Sequence, residues 1–224
     1  MFIHIPQVLN PDQLHTIDKA LDEAAFVDGN YSASAAAKAV KNNLQLDREN
    51  TEQRQVLEQT IMQAVSGNQL VGAALMPRRF VPPTFSRYEE GMTYGFHTDS
   101  PIMGENPAVR TDMAMTIFLS DPASYEGGEL VIDSPTGRVA YKLNKGDAIV
   151  YPTNYLHAVA EVRSGVRHVA VTWIQSAIQN HSQRETLFNL NQIYAMLASR
   201  DQHSREAVLL LQTYSNLVRM WADV

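Results

Sequence analysis

Apolar and polar residues follow a helical period near the start of the chain. From Asn10 to about Phe26, apolar side chains recur every three or four positions, and an Asn-Pro pair occupies the cap and first-turn positions. This pattern predicts an amphipathic helix, and a second helix is predicted over about 48–66. The small, alanine-rich segment between them, 28–46, fits a strand edge, a short helix or a loop, and its pattern does not distinguish these.

Short apolar runs separated by turn residues replace the helical period from Leu75 to Gln175. The runs that are typical of strands are RFVPPTFSRY, DMAMTIFLS, GELVIDS, GRVAYKL, DAIVYP, HAVAEV and RHVAVTWI. Turn signals such as DSPTG, NKGD and RSG recur about every ten residues, which is the spacing of a β-sandwich or jelly roll. We therefore expect a mainly β fold with flanking helices.

A helical pattern returns from about Ser182 to Val224. We expect two domains: a β domain with the N-terminal helices over 1–178, and a C-terminal helical extension over 179–224. Apolar residues stand on more than one face of this extension and must pack against another surface. Either the N-terminal helices of the same chain or a second subunit in a homo-oligomer can cover them. The residues concerned are Leu187, Leu190, Ile193, Tyr194, Leu197, Val208, Leu209, Leu211, Leu217, Val218 and Trp221.

Composition narrows the chemistry. The chain of 224 residues is 45% hydrophobic, enough for a sizeable core, and it contains no cysteine. Histidine and carboxylate are therefore the strong metal-binding side chains that remain. A net charge of −6 argues against nucleic acid or an anionic membrane as the main partner. No apolar run predicts a membrane span and no pattern predicts a secretory signal, so the cytoplasm is the expected compartment.

The stretch YGFHTDSP places His97 and Asp99 one residue apart. A single His-x-Asp pair is weak by itself and also fits an ordinary polar turn. His157 strengthens the metal interpretation, because it follows the strand-like DAIVYP and opens HAVAEV. Two ligands at i and i+2 on extended backbone and a third from a neighbouring strand make a two-histidine, one-carboxylate facial triad. That arrangement suits iron(II), although zinc with three protein ligands is a competing interpretation.

Arg167 bears on the choice between the two metals. It opens RHVAVTWI, whose alternation places Arg167, Val169, Val171 and Trp173 on one side of the strand. A guanidinium in such a strand needs an anion, and the bidentate carboxylate of a ligand would satisfy it. An internal salt bridge, or a position at the exposed end of the strand, is the alternative.

Together these motifs resemble a known family. The segments RYEEGMTYGFHTDSP, TIFLS, YEGGELVI, GDAIVYPTNYLHAV and SGVRHVAVTW are similar to the iron(II)- and 2-oxoglutarate-dependent dioxygenases of the prolyl/lysyl hydroxylase group, specifically the bacterial PKHD-type, PiuC/YbiX-like hydroxylases. The resemblance covers nearly the whole chain and implies a double-stranded β-helix, a distorted jelly roll. It implies that His97, Asp99 and His157 bind iron, that Arg167 binds the distal carboxylate of 2-oxoglutarate, and that ascorbate is the auxiliary reductant.

Other residues gain expected roles from their positions. Tyr88 and Tyr94 precede His97 closely enough to reach the co-substrate or to pack as half-buried aromatics. Related animal enzymes carry a co-substrate tyrosine near Phe118, so that contact is absent here or supplied elsewhere. Trp173 is expected in the core or in a cavity wall, and EGGEL is expected to form a loop and bulge. Structural or surface positions are expected for His4, His15, His181 and His203.

The resemblance implies oxidative decarboxylation of 2-oxoglutarate to succinate and carbon dioxide, with hydroxylation of an unactivated C–H bond. A cupin-like or zinc-dependent hydrolase with the same ligands is an alternative, but it would not need Arg167. A non-catalytic jelly-roll module is a further one. The substrate stays open among peptidyl proline or lysine, a free amino acid and a siderophore-like small molecule.

Overall fold

The computed structural model of the protein describes residues 1–32, 38–47, 49–104 and 107–223. Helices flank a β core at both ends of the chain. The α-helices are α1 (Pro11–Asp22), α2 (Thr51–Gly67), α3 (Gln69–Leu75), α4 (His181–Asp201) and α5 (Arg205–Trp221). Short 3-10 helices cover Gly29–Ser32 and Pro122–Ser124.

Two facing sheets form the β core. The strands are β1 (Ile3–Ile5), β2 (Phe26–Asp28), β3 (Lys41–Asn42), β4 (Leu44–Leu46), β5 (Pro77–Phe80), β6 (Thr84–Tyr88), β7 (Thr93–His97), β8 (Ile102–Met103), β9 (Val109–Arg110), β10 (Met113–Phe118), β11 (Tyr125–Gly127), β12 (Leu130–Ser134), β13 (Gly137–Tyr141), β14 (Ala148–Pro152), β15 (Leu156–Val159), β16 (Val162–Gly165) and β17 (Arg167–Ser176). The larger sheet has the order β1-β14-β10-β17-β6-β4-β2, with β5 also paired to β17. The smaller sheet has the order β13-β12-β15-β7-β3. The predicted mainly β jelly roll with flanking helices is confirmed.

The larger sheet separates two hydrophobic clusters. Helices α1, α2 and α3 pack on its outer face, where Ile17, Ile61 and Ala74 are fully buried. The second cluster fills the space between the sheets and includes Ile132 and Val169. Because side chains alternate along a strand, β10 and β17 contribute to both clusters, one with each face. The cavity described below lies on the inner face.

The helix boundaries differ from the prediction at one end. Asn10 caps α1 as expected, and its side chain accepts from the Gln13 N–H. The helix ends at Asp22, earlier than predicted, because Phe26 instead pairs with Leu46 in the strand pair β2–β4. The predicted start of α2 at 48 lies outside the described residues. Helix α3 was not predicted, and the side chain of Asn68 caps it by accepting from Leu70 N–H.

The predicted C-terminal helices form a pair that docks on the β domain. Helix α4 packs against both α3 and α5. Its first turns are buried through Leu187 and Arg184, and Arg184 donates to the carbonyl oxygen of Ile178 and to Met113 Sδ. Internal packing therefore covers the start of this pair, and the division into two domains at 178/179 stays a prediction. Among the described helices, none is both long and apolar enough to cross a membrane.

Candidate metal centre and its cavity

A cavity of about 460 Å³ opens between the two sheets. Both sheets contribute to its wall, and the segments 98–104 and 41–45 complete it. His97, Asp99, His157 and Arg167, the residues that the sequence singled out, all line it. The fold thus gathers into one space four side chains that are up to 70 positions apart in the sequence.

Two neighbouring strands bring the three expected metal ligands together. His97 at the end of β7 lies directly opposite His157 in β15 in the antiparallel register. Asp99 follows two residues after His97, where the chain leaves the strand. One ligand atom from each of the three residues lies within 4.8 Å of the others. Asp99 Oδ1 is 3.7 Å from His157 Nε2, and these two side chains are 8% and 6% exposed. A divalent metal ion fits between them.

Hydrogen bonds to the backbone fix the tautomer of both histidines. His97 Nδ1 is 2.8 Å from the Gly95 carbonyl oxygen, and His157 Nδ1 is 3.1 Å from that of Tyr155. Because a carbonyl oxygen only accepts, each Nδ1 carries the hydrogen and each Nε2 keeps its lone pair. This is the outer hydrogen bonding that orients histidine ligands for a metal. The Tyr94 ring stacks on the His97 ring at a centroid distance of 3.6 Å and further restrains it.

Burial favours the neutral forms of His97 and Asp99 before a metal binds. Burial, followed by the neighbouring His157, lowers the pKa of His97 to about 4, so its imidazole is neutral near pH 7. Burial also raises the pKa of Asp99, against smaller opposing effects of His157 and Trp173. Asp99 Oδ2 is buried without a hydrogen-bond partner in the described residues. A cation between these groups would compensate the charge of the carboxylate.

The donor set points to the metal. Two imidazole nitrogens and one carboxylate oxygen are the facial ligand set of non-haem iron(II) oxygenases, and this set leaves coordination positions open. A structural zinc site would be closed by a fourth protein ligand. Among the described residues, His97, Asp99 and His157 are the one group of three or more potential metal-binding side chains that meets this spacing. The residues therefore fit iron(II).

Arg167 is a buried cation with no counter-ion among the described residues. It is 1% exposed, so the alternative of an exposed strand end is wrong. Its Nε and Nη1 atoms are buried without hydrogen-bond partners, and within the described part of the chain it forms no ion pair. The rings of Tyr88 and Phe118 lie 5.0 and 5.7 Å from its guanidinium carbon. A charge buried in this way needs an anion, and the cavity that it faces can hold one.

Comparison with known proteins assigns the family. Residues 83–175 match the 2OG-Fe(II) oxygenase superfamily, and residues 182–223 match the PKHD-type hydroxylase C-terminal domain. A PKHD-type hydroxylase from Thermosynechococcus vestitus is 42% identical over 225 residues, which cover 100% of both chains. The chain belongs to the PKHD-type hydroxylases. The PKHD-type hydroxylase YbiX of Escherichia coli is 40% identical and is also covered over 100% of both chains.

A solved structure confirms the fold of this PKHD-type hydroxylase. A prolyl hydroxylase from Trichoplax adhaerens, in complex with a peptide fragment of hypoxia inducible factor, superposes with a TM-score of 0.55. The match covers 77% of this chain and 82% of that chain, at 15% sequence identity. This similarity concerns the fold, and the predicted double-stranded β-helix is confirmed by it. The protein is an enzyme of the hydroxylase class.

In this PKHD-type hydroxylase a tyrosine from another strand lies beside Arg167. Burial raises the pKa of Tyr125, and the positive charge of Arg167 opposes that rise. Tyr125 Oη has no hydrogen-bond partner among the described residues. Gly128 permits this proximity, because a Cβ there would lie 2.9 Å from Arg167 Cδ and 3.1 Å from Tyr125 Cε2. The predicted bulge in EGGEL is present, as the β11–β16 register shifts between Glu126 and Gly127.

The cavity wall contains expected and unexpected residues of the hydroxylase. Tyr88, Tyr94 and Trp173 all line it, whereas Phe118 lies in the core beneath Arg167. The sequence interpretation missed Lys41, Asn43 and Gln45, which line the cavity from the segment whose conformation the pattern left open. The signal was present, since these are polar residues at i, i+2 and i+4 on what proves to be extended backbone.

Proposed function

We propose that this hydroxylase is an iron(II)- and 2-oxoglutarate-dependent dioxygenase that hydroxylates an unactivated C–H bond. 2-Oxoglutarate is oxidatively decarboxylated to succinate and carbon dioxide in the same turnover. The observation that carries the proposal is the open triad of His97, Asp99 and His157 in one cavity with Arg167, which is buried and forms no ion pair with a described residue. A zinc hydrolase would leave that arginine without a role.

The chain's own residues position the reactants. When bound, iron(II) supplies the redox chemistry that couples oxygen to the decarboxylation of 2-oxoglutarate. His97 and His157 present Nε2 to the metal because their Nδ1 hydrogens are donated to carbonyl oxygens. Asp99 offsets part of the metal's charge. Arg167 binds the distal carboxylate of 2-oxoglutarate with a planar pair of donors.

Part of the wall around these groups is apolar. Val159 on β15 and Val169 and Val171 on β17 line the cavity. Apolar walls strengthen the interaction of Arg167 with a carboxylate, because the local dielectric constant falls. Tyr88 and Tyr94 are proposed to contact the co-substrate from the same cavity. The family resemblance supports ascorbate as the auxiliary reductant, and the cytoplasmic location stays a prediction.

Succinate formation tests the proposed reaction. Purified protein with iron(II), ascorbate and 2-oxoglutarate should release succinate, and the rate should rise with one of a panel of peptidyl proline, peptidyl lysine, free amino acids and siderophore-like molecules. The hydroxylated product should gain one oxygen atom from O₂, measured by mass spectrometry with ¹⁸O₂. Turnover of a substrate with zinc and without 2-oxoglutarate would instead support the hydrolase.

Tyr125 is proposed to position Arg167 when 2-oxoglutarate is bound, its Oη then accepting a hydrogen bond from the guanidinium group beside which it lies. Tyr125→Phe removes the hydroxyl and should weaken 2-oxoglutarate binding by about 1 kcal/mol, the typical net contribution of one hydrogen bond. The value is measured by calorimetry on the iron(II)-loaded protein without oxygen. Tyr194→Phe on α4 is the control. Unchanged affinity in Tyr125→Phe would leave Tyr125 as a packing residue only.

We further propose a homo-oligomer that uses the outer part of the C-terminal helices. Met196, Val208, Leu209 and Met220 are 60%, 52%, 49% and 73% exposed, although internal packing buries the first turns of α4. Light scattering should give a mass above that of one chain. The double variant Met196→Glu, Leu209→Glu should then be monomeric, while Val139→Glu on β13 should not change the mass. A monomeric native protein at micromolar concentration would contradict the proposal.

A further inference from the structure

A single extended segment joins the two sheets at one side of the cavity. Strand β3 pairs with β7 in the smaller sheet, where Lys41 lies opposite Tyr94. Strand β4, two residues later, pairs with β6 in the larger sheet, where Gln45 lies opposite Ser86. Alternation along this segment turns Lys41, Asn43 and Gln45 to the same side. They line the cavity and are 7%, 3% and 5% exposed.

These three side chains form a polar wall with a defined hydrogen-bond network. Lys41 Nζ donates to the Gly29 carbonyl oxygen at 2.7 Å and to Ser32 Oγ at 2.9 Å. The Ser32 hydroxyl donates to Gln45 Oε1 at 2.6 Å. Asn43 Oδ1 is buried and has no hydrogen-bond partner in the described residues. The Asn43 side chain is held between Gly29, which leaves no room for a Cβ beside Oδ1, and Tyr88, whose pKa it lowers through a hydrogen bond against the larger raising effect of burial.

Lys41 lies on the side of the cavity where the triad is. Its Nζ is 5.5 Å from the centroid of the Tyr94 ring. The same Tyr94 ring stacks on the ring of His97, one of the three metal ligands. Burial lowers the pKa of Lys41 to about 8, with Asp28 opposing the effect, and no described carboxylate forms an ion pair with it. The ammonium group is therefore a second buried cation, separate from Arg167, that has no close counter-ion among residues 1–32, 38–47, 49–104 and 107–223.

With iron(II) and 2-oxoglutarate bound, every charge in the described part of the cavity is balanced except that of Lys41. Iron(II) and the two carboxylates of 2-oxoglutarate balance each other, and Arg167 and Asp99 do the same. Among the described residues that line the cavity, Asp99 is the only carboxylate. A buried charge without a counter-ion is costly, so a third anionic group is favoured next to Lys41. One negative charge is enough, which favours a carboxylate over a phosphate dianion.

We propose that Lys41, Asn43 and Gln45 form a subsite, the Lys41 subsite, that binds a carboxylate of the hydroxylation substrate. The substrate class is then a small molecule with a free carboxylate, such as a free amino acid, and not an internal residue of a peptide. This inference rests on the proposed function, because it takes 2-oxoglutarate to be held by Arg167. It also agrees with the size of the cavity, about 460 Å³, which the co-substrate shares.

Calorimetry without oxygen tests the subsite apart from turnover. The protein is first titrated with iron(II) and 2-oxoglutarate, and then with each free L-amino acid and its carboxamide. At least one amino acid should bind, and its carboxamide should bind roughly tenfold to a hundredfold more weakly, as expected when a charge-assisted hydrogen bond is lost. Lys41→Met should weaken the binding of the same amino acid by a similar factor. It should leave the affinity for 2-oxoglutarate within about twofold of the native value.

Two further variants keep the test decisive. Lys41→Arg retains the charge and should recover most of the binding, which separates loss of charge from loss of folding. Lys38→Met removes an exposed lysine nearby and should bind as the native protein does. The Lys41 subsite is overturned if no free amino acid binds, if the carboxamides bind as tightly, or if Lys41→Met lowers 2-oxoglutarate affinity instead. Failure of the first titrations with iron(II) and 2-oxoglutarate would reject the proposed function itself.

Discussion

Alanine in place of His97, Asp99 or His157 should abolish iron(II) binding and succinate formation. Each substitution removes one of three protein ligands whose donor atoms lie within 4.8 Å of one another. In the described residues no other histidine or acidic side chain lies close enough to replace the missing ligand. Two protein ligands cannot hold the metal against the solvent, so the affinity for iron(II) should fall below detection in a calorimetric titration.

The folded state should survive these substitutions. Asp99 is buried, and one of its oxygens has no hydrogen-bond partner in the part of the chain that the structure describes, so its removal relieves a cost in the metal-free protein. Metal-free Asp99→Ala should therefore melt at the temperature of the metal-free native protein or slightly above it. The exposed His15 gives a matched control, and His15→Ala should bind iron normally. Full activity of Asp99→Ala, without added halide or carboxylate to fill the position, would reject the metal assignment.

Arg167→Ala should raise the concentration of 2-oxoglutarate required for turnover by a large factor. Truncation of one partner in a desolvated, hydrogen-bonded charge pair costs roughly 2–5 kcal/mol. The upper part of that range is favoured here, since the arginine is 1% exposed and has no protein counter-ion among the described residues. Iron(II) affinity should change far less, because Arg167 is not a ligand. Titration of 2-oxoglutarate into the iron-loaded variant measures the first affinity, and titration of iron(II) into the metal-free variant measures the second.

Two further variants, Arg167→Lys and Arg163→Ala, serve as comparisons for Arg167→Ala. Arg167→Lys restores the charge without the planar pair of donors, so it should recover part of the lost affinity. Arg163→Ala removes an exposed arginine on β16, the strand that precedes β17 in the sequence, and should behave as the native protein. If Arg167→Ala bound 2-oxoglutarate as the native protein does, Arg167 would be a structural residue and the co-substrate would lie elsewhere.

Strand periodicity accounts for most of what the sequence predicted. Alternation in RHVAVTWI correctly placed Arg167, Val169, Val171 and Trp173 on one side of β17, because a strand between two packed layers has two distinct faces. The spacing of His97, Asp99 and His157 suggested a common site, and the register of β7 with β15 brings them together. What stays a prediction is the ligand that each residue binds.

The features that the sequence did not predict depend on long-range pairing. Phe26 was assigned to a helix because its local pattern continues that of α1, but the pairing with Leu46 decides its conformation. Lys41 and Asn43 lie in a segment with two very short strands, each of which is defined by a partner far along the chain. Local propensity is weak over two or three residues, so tertiary contacts determine the structure there.

The crossing of residues 41–46 from one sheet to the other also has a mechanical consequence. Backbone hydrogen bonds join this segment to β7 in the smaller sheet and to β6 in the larger sheet, so the segment links the two sheets along that edge. They cannot part there without breaking hydrogen bonds of this segment in at least one of the two sheets. The spacing of Lys41, Asn43 and Gln45 is consequently fixed in the folded protein. Binding of a ligand to them therefore carries little further entropy cost for ordering this segment.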